Sequence, residues 1–217
     1  MFKKPLVKFA FTGLLFSLIL SFSACSESEP DVVSVTSSIV FDYADSENPP
    51  EQRLAVFFQV SSAVQRTEAF DVTHEDSGYS WHVSKPGIFT GMNRSYAYSA
   101  SLNPPAGGEI PLGLYSVIYT DAAGKEDSLT FTLNYKKELL SAKSGNCREY
   151  LTSPSENISI FSDSGELLFM GKAKSSWKSN EDILKDYKLA ETKRICYVNP
   201  GNSIICMMPE EKLKTEN

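Results

Sequence analysis

The stretch at 111–135, PLGLYSVIYTDAAGKEDSLTFTLNY, contains two runs of alternating apolar and polar residues around a turn. In the second run the apolar positions alternate with Ser, Thr and Asn, and they are Leu129, Phe131, Leu133 and Tyr135. Alternation with a period of two is typical of a strand with one buried face. The Asp-x-x-Gly at 121–124 is a turn signal. The stretch therefore predicts two strands joined by a tight turn.

The same alternation recurs upstream of this stretch. The clearest runs lie at 54–60, 79–83 and 96–102, and weaker ones lie at 33–43 and 68–73. Segments rich in Pro, Gly, Asn and Asp separate them, as expected for turns. About seven strands at this spacing predict a mainly β fold with a β-sandwich over 32–135. A sandwich or barrel of another topology is the alternative.

Gly113 and Tyr115 carry a resemblance to a known group of sandwiches. A Gly-x-Tyr at the start of the penultimate strand resembles the tyrosine corner of immunoglobulin-like and fibronectin type III domains. The resemblance implies a structural role for both residues. Antibody domains have a Cys two residues after this Tyr, where the present chain has Val117. The likeness is therefore to the wider immunoglobulin-like group, without an inter-sheet disulfide.

The chain opens with a positively charged segment followed by an apolar one. Lys3, Lys4 and Lys8 precede residues 9–24, which carry no charge and centre on the run LLFSLIL. This is the layout of a secretory signal. The apolar run is short for a membrane-spanning helix, which needs about 20 residues. We therefore predict that residues 1–24 are a signal peptide.

Small residues precede Cys25. The sequence Phe-Ser-Ala-Cys at 22–25 resembles the lipobox of bacterial lipoproteins, although Phe22 stands where Leu is usual. Looser boxes of this kind are typical of spirochaete lipoproteins. The resemblance implies lipidation of Cys25, and two or three acyl chains hold a protein stably on a membrane. It also implies an outer rather than an inner membrane, because Ser26 rather than Asp follows. An ordinary signal peptide that leaves Cys25 free is the alternative.

Charge and length limit the partners of the mature chain. Removal of the signal leaves about 190 residues, enough for one large or two small domains. Residues 25–31 are polar and acidic, which is typical of a flexible tether. The 27 acidic and 21 basic residues give a net charge of −6, and loss of the three signal lysines brings it near −9. Because phosphate binding depends on Lys and Arg, nucleic acid is excluded as a partner.

Residues 136–209 predict a small α+β unit, followed by a polar tail at 210–217. Short helical pieces are expected from 136 to 150, and two hairpins are expected around the turn sequences at 163–165 and 199–202.

A helix is expected inside this unit. Ser179 followed by Asp182 is a capping-box pattern. The apolar positions behind it recur at helical spacing as far as Ala190.

Three cysteines remain beside Cys25. A three-residue loop at the second hairpin would bring Cys196 and Cys206 opposite each other, and an exported protein is in an oxidising compartment, so a disulfide between them is a candidate. Two buried thiols are the alternative, and Cys147 competes as a partner.

The sequence carries no recognisable catalytic signature. It has no nucleophile elbow and no zinc-protease motif, and its cysteines lack the close pairs of a zinc site. His74 and His82 are interpreted as polar strand positions rather than as a catalytic pair. We therefore predict no enzyme activity, no metal and no cofactor.

Trp177 is the one aromatic residue singled out for binding. It stands between Ser176 and Lys178, and exposed aromatic side chains mark binding surfaces. The alternative is that Trp177 closes the core between the sandwich and the C-terminal unit.

These features together predict a lipid-anchored protein of the cell envelope that acts as a non-catalytic binding or structural module. Loop tips at 45–52, 85–94 and 103–111 would carry recognition, and the partner would be another envelope protein, a glycan or a host component. The alternative is an envelope hydrolase whose acidic residues the sequence does not reveal.

Overall fold

The computed structural model describes residues 32–61, 64–91, 94–106 and 108–214. The predicted signal peptide, Cys25 and the predicted tether lie outside these residues.

The described residues form two β-sheets, a single α-helix and several 3₁₀ turns. The strands are β1 Val32–Asp42, β2 Glu51–Val60, β3 Thr67–His74, β4 Ser80–Val83, β5 Gly87–Gly91, β6 Arg94–Leu102, β7 Gly113–Asp121, β8 Glu126–Leu133, β9 Ser155–Ser162, β10 Leu167–Gly171, β11 Ala190–Val198, β12 Ile204–Met207 and β13 Glu211–Lys212. The helix is α1 Asn180–Asp186, and the 3₁₀ turns are Val64–Arg66, Lys137–Leu140, Cys147–Tyr150 and Pro200–Asn202.

The first eight strands form the predicted sandwich. One sheet contains β5, β6, β2 and β1 as successive neighbours, and the other contains β4, β3, β7 and β8. Named along the chain, this is the A-B-E-D and C′-C-F-G order of immunoglobulin-like sandwiches. The predicted fold class, a mainly β sandwich followed by a small unit with one helix, is confirmed.

Large aromatic side chains fill the space between the sheets. Phe58 of the larger sheet meets Phe70 and Tyr119 of the smaller one edge-on, with ring centroids 5.0 and 5.8 Å apart. All three side chains are fully buried. Burial of such rings contributes about 2–3 kcal/mol each, so this contact is a main reason why the two sheets stay together.

The register defines two ends of the sandwich. Strand β1 begins at Val32, which pairs with Val60, and it finishes at Asp42, which pairs with Glu51. We call these the Val32 end and the Glu51 end. The turn between β7 and β8 is at the Val32 end, because the Asp127 carboxylate accepts a hydrogen bond from the Val32 backbone N–H at 2.7 Å.

The predicted loop tip at 85–94 is largely a strand. Residues 87–91 pair antiparallel with β6 as β5, and the hairpin closes between Gly91 and Arg94. Because β6 runs from Arg94 to the Glu51 end, where Leu102 pairs with Leu54, Gly91 and Arg94 lie at the Val32 end. Most of this predicted tip is therefore separated from the other two.

The C-terminal residues extend the larger sheet. Strand β12 pairs parallel with β1, Ile39 opposite Ile204, and β11, β9 and β10 follow in that order. A small core forms on this extension, where Ile183 of α1 packs with Ile158 and Ile160. Leu213 is also buried there and β13 pairs with β11, so part of the predicted polar tail belongs to the fold.

The helix begins where the sequence predicts and ends earlier. The Asp182 carboxylate accepts hydrogen bonds from the backbone N–H groups of Lys178 and Ser179 at 3.0 and 3.2 Å. These contacts stabilise the start of the helix. The helix ends at Asp186, and Ala190, expected on its apolar stripe, is the first residue of β11.

The predicted disulfide between Cys196 and Cys206 is wrong by one residue of register. Cys196 is opposite Met207, and Cys206 is opposite Tyr197. Since a one-residue shift moves a side chain to the other face of a sheet, the two thiols lie on opposite faces. Cys147, Cys196 and Cys206 are all buried and free.

Candidate functional site

The loop between β6 and β7, residues 103–112, borders two open cavities at the surface. We call these cavities, together with the loop, the groove. The first cavity, of about 450 Å³, is lined by residues that include Pro50, Gln52 and Glu109. The second, of about 510 Å³, is lined by residues that include Tyr79 and Trp81. Asn103 and Pro104 line both cavities.

The groove unites two of the three predicted recognition loops. Pro50, Glu51 and Gln52 come from the predicted tip at 45–52, and the predicted tip at 103–111 contributes Asn103, Pro104, Gly108 and Glu109. From the third tip, Lys85 alone among the described residues lines the second cavity.

Buried tyrosines hold the β6–β7 loop from below. The Tyr115 hydroxyl donates to the carbonyl oxygen of Pro111 at 2.6 Å, and the Tyr135 hydroxyl donates to that of Ile110 at 2.8 Å. Burial raises the pKa of both tyrosines, so each hydroxyl keeps its proton and remains a donor. The first bond is the backbone contact that a tyrosine corner implies.

Three further side chains hold the same loop. The Trp81 indole N–H donates to the carbonyl oxygen of Asn103 at 2.7 Å. His74 Nε2 lies 2.9 Å from the carbonyl oxygen of Leu112, so this nitrogen carries the proton. Gln52 Oε1 accepts from the backbone N–H of Ile110 at 3.1 Å. Five side chains from β2, β3, β4, β7 and the segment after β8 therefore hold the two ends of the loop, at Asn103 and at residues 110–112.

Gly113 is required where this loop enters β7. Its φ of +131° lies in a region that other residues rarely adopt. A Cβ atom there would lie 3.0 Å from His74 Nε2. The glycine therefore allows both the backbone turn and the close approach of the histidine.

The aromatic residues that line the second cavity contact one another and the buried Tyr115. Tyr79 and Trp81 meet edge-on with centroids 4.8 Å apart, and Trp81 also lies parallel to Tyr115 at 6.2 Å. Trp81 and Tyr79 are half-buried, so part of each ring faces the cavity. Rigid aromatic rings beside amide and hydroxyl groups are typical of binding surfaces.

Trp177, the aromatic residue that the sequence singled out, lies away from the groove. It packs in the C-terminal core against Phe169 and Tyr187, with centroids 5.1 and 6.0 Å away. Its indole N–H donates to Asp186, and the Lys174 ammonium lies 5.0 Å from its ring centroid. Its polar edge is thus already engaged inside its own unit.

The two histidines occupy separate environments. His74 is buried, with Ser77 on Nδ1 and Leu112 on Nε2. His82 is exposed on β4 and its Nδ1 lies 2.9 Å from Asp71.

Sequence reasoning missed an arginine that joins the C-terminal strands to the sandwich. Arg194 of β11 donates to the carboxylate of Asp42 at the end of β1, and to the carbonyl oxygens of Tyr43 and Met208. Only 14% of its side chain is exposed. A charged residue in step with the buried positions Cys196 and Val198 of the same strand is the sequence signal that could have found it.

Five carboxyl groups among the described residues have a shifted pKa. Where a pKa is shifted, at Asp45, Asp121, Glu181, Asp182 and Asp186, hydrogen bonds to the carboxylate lower it. Within the described ranges, no group of three or more His, Cys, Asp and Glu could hold a metal ion. The helix that the structure describes is too short to cross a membrane.

No protein-family model matches the chain, and no curated protein matches its sequence.

Proposed function

We propose that this protein is a lipoprotein of the bacterial envelope, held on the outer membrane by acyl chains on Cys25, and that it is a non-catalytic binding module. The groove beside Asn103 and Pro104 is its binding surface. The partner that we favour is another envelope protein, because half-buried Trp and Tyr side chains are the residues most enriched where proteins bind each other.

The observation that carries this proposal is where the groove lies relative to the proposed anchor. Six residues separate Cys25 from Val32, and a chain of this length reaches at most about 25 Å. The Val32 end is then the end nearest the membrane. Strand β1 rises about 3.3 Å per residue, so Glu51, its partner at the far end, lies roughly 30 Å further out. The first cavity is lined by Glu51 and its neighbours.

The way in which the β6–β7 loop is held supports the same reading. Side chains that fix the two ends of a loop reduce the conformational entropy that it loses when a partner binds, and such preorganisation raises affinity. This loop faces away from the proposed membrane, where a partner can reach it. The hydrolase alternative is favoured by no observation on the described residues.

Crosslinking in cells tests the binding surface. A photo-crosslinking amino acid at Asn103 or at Glu109 should yield one defined adduct after irradiation, whereas the same amino acid at Ala123, at the Val32 end, should not. Digestion of the adduct distinguishes a protein partner from a glycan. Equal adducts at all three positions, or none at either groove position, would contradict the proposal.

Membrane fractionation tests the anchor separately. Cys25→Ser should move the protein from the membrane to the soluble fraction and remove the acyl mass from the mature N-terminus. Ser26→Ala is the matched control and should stay membrane-bound. A Cys25→Ser variant that remains in the membrane fraction would overturn the anchor.

A further inference from the structure

Two of the three buried cysteines meet in the main core. Cys206 lies on β12, opposite Phe41 of β1 and Tyr197 of β11, and its side chain faces the core of the sandwich. Cys147 opens the 3₁₀ turn Cys147–Tyr150, and it is fully buried in the same core. Both thiols are thus buried in one core cluster, and they interact closely enough that each shifts the pKa of the other.

The turn that carries Cys147 is held against β11. The Arg148 guanidinium lies 5.3 Å from the ring centroid of Tyr197, the residue opposite Cys206. A cation over an aromatic face at this distance is attractive. Tyr150 of the same turn also packs on the main core. Contacts of Arg148 and Tyr150 therefore hold the turn that carries Cys147.

Cys196 has different surroundings. It lies on the opposite face of the sheet, in a separate small cluster with Val40, Val198 and Met207. Its sulfur contacts the Ser159 hydroxyl at 3.3 Å. Burial raises the pKa of its thiol, which keeps it protonated and unreactive.

We propose that Cys147 and Cys206 form a disulfide, leaving Cys196 as a thiol. The bond would join the turn after the sandwich to the strand that pairs with β1, closing a loop of about 60 residues. Formation of the bond in cells rests on the proposed export to an oxidising compartment, whereas formation in vitro does not.

The two thiols have different pKa values in the folded chain. The interaction with Cys206 lowers the pKa of Cys147, and the same interaction, together with burial, raises the pKa of Cys206. These shifts belong to the folded chain, whereas disulfide exchange needs a thiolate that the oxidant can reach.

The oxidant is a disulfide, for which oxidised glutathione serves as the probe. The thiolate of one of the two cysteines attacks one glutathione sulfur, forms a mixed disulfide and releases one glutathione thiolate. The other cysteine, once deprotonated, attacks the sulfur of the first and displaces the second glutathione. Two protein thiols lose two protons and two electrons, and one glutathione disulfide becomes two thiols. Because both cysteines are fully buried in the folded chain, the exchange takes place before the core closes.

Peptide mapping tests the pairing directly. The full chain, purified in detergent, is reduced and then refolded in a mixture of reduced and oxidised glutathione. It is quenched with acid, alkylated under denaturing conditions and digested. We expect a peptide pair linked through Cys147 and Cys206, lighter by about 2 Da than the reduced peptides because two hydrogens have left, and an alkylated Cys196. Alkylation of both Cys147 and Cys206, or a link through Cys196, would overturn the inference.

Variants and a second sample separate this inference from the export proposal. Reduction should lower the melting temperature of the native chain and of Cys196→Ser by about 5–15 °C, and leave that of Cys147→Ser unchanged. The same mapping on acid-quenched cells should find the linked pair. A link that forms in vitro but not in cells would overturn the export and leave the pairing intact, whereas no link in either sample would overturn the pairing.

Discussion

The two ends of the sandwich are closed in different ways. At the Val32 end the β7–β8 turn is closed mainly by its own residues, since the Asp121 carboxylate accepts from the backbone N–H groups of Ala123 and Lys125 at 2.8 and 2.9 Å. From elsewhere in the fold, Arg66 contacts it through its carbonyl oxygen and its guanidinium. At the Glu51 end the β6–β7 loop depends on five side chains from elsewhere in the fold, among them Trp81 and Tyr115.

This difference indicates what each end is built for. A turn closed by local hydrogen bonds needs little from the rest of the molecule and offers little surface beyond itself. A loop whose ends are held by distant side chains can remain irregular and border cavities while its position is fixed, which suits a binding surface. Substitutions at the Glu51 end should therefore lower the free energy of unfolding more than matched substitutions at the Val32 end.

The largest difference is expected between two glycines. Gly113→Ala forces a strained φ and brings a Cβ atom to 3.0 Å from His74, so we expect a loss of about 3 kcal/mol in the free energy of unfolding. Gly124→Ala, in the β7–β8 turn, also has positive φ but meets nothing within 4 Å, so about 1 kcal/mol is expected. Urea denaturation measures both, and equal losses would contradict the comparison.

Truncation of Trp81 should come next. Trp81→Ala removes the bond to Asn103 and the contacts with Tyr79 and Tyr115, and for a half-buried indole we expect a loss of about 2 kcal/mol. Phe89 is the control, since 52% of it is exposed at the edge of the larger sheet. Phe89→Ala should change stability by less than about 0.5 kcal/mol. A Trp81→Ala variant as stable as Phe89→Ala would mean that the loop does not depend on the indole.

A pair of tyrosines on one strand isolates a single hydrogen bond. Tyr115→Phe removes the bond to Pro111 and should lower stability by about 1 kcal/mol. Tyr119 is equally buried on β7, but its hydroxyl has no hydrogen-bond partner in the described part of the chain. Tyr119→Phe should therefore be neutral or slightly stabilising. Chemical denaturation measures both variants. If Tyr115→Phe were as stable as Tyr119→Phe, the tyrosine corner would not hold the loop.

The smallest effect concerns pH at the Val32 end. Hydrogen bonds from Lys125 and Ala123, with Arg66 nearby, hold the pKa of Asp121 below its ordinary value. The folded state then favours the carboxylate, so its contribution is complete above the unfolded pKa of about 3.9. It is lost as pH falls through the lower folded pKa. The difference in melting temperature between the native chain and Asp121→Asn should therefore be largest near neutral pH and shrink below about pH 4. A difference that stays constant with pH would contradict this assignment.

The sequence allowed much of the sandwich to be predicted, because alternation of apolar residues reports directly on which face of a strand is buried. Gly113 and Tyr115 were recognisable for a related reason, since a corner of this kind needs those residue types at that spacing. Strand β5 was missed because a short segment between glycines, here Gly87 and Gly91, looks like a loop until its partner strand is known.

The groove and the cysteine pairing were harder to predict for a different reason. The β6–β7 loop is held through backbone carbonyl groups, as in the bond from Trp81 to Asn103, and a carbonyl group has no sequence signature. The register of β11 and β12 depends on the length of the turn between them. This turn differs by one residue from the expected three-residue loop, which places Cys196 opposite Met207 instead of Cys206. The contacts of the loop and the register of the two strands both depend on tertiary packing.

The height of each end above a membrane tests the central claim most directly. Asn103→Cys and Ala123→Cys, each labelled with a fluorescent donor on the lipid-bearing protein, are reconstituted in vesicles that contain an acceptor lipid. The buried native thiols are not expected to react with the label. Energy transfer should be much stronger from position 123 than from position 103, because roughly 30 Å of strand separates the two ends. Equal transfer from both positions, or stronger transfer from position 103, would contradict a groove that faces away from the membrane.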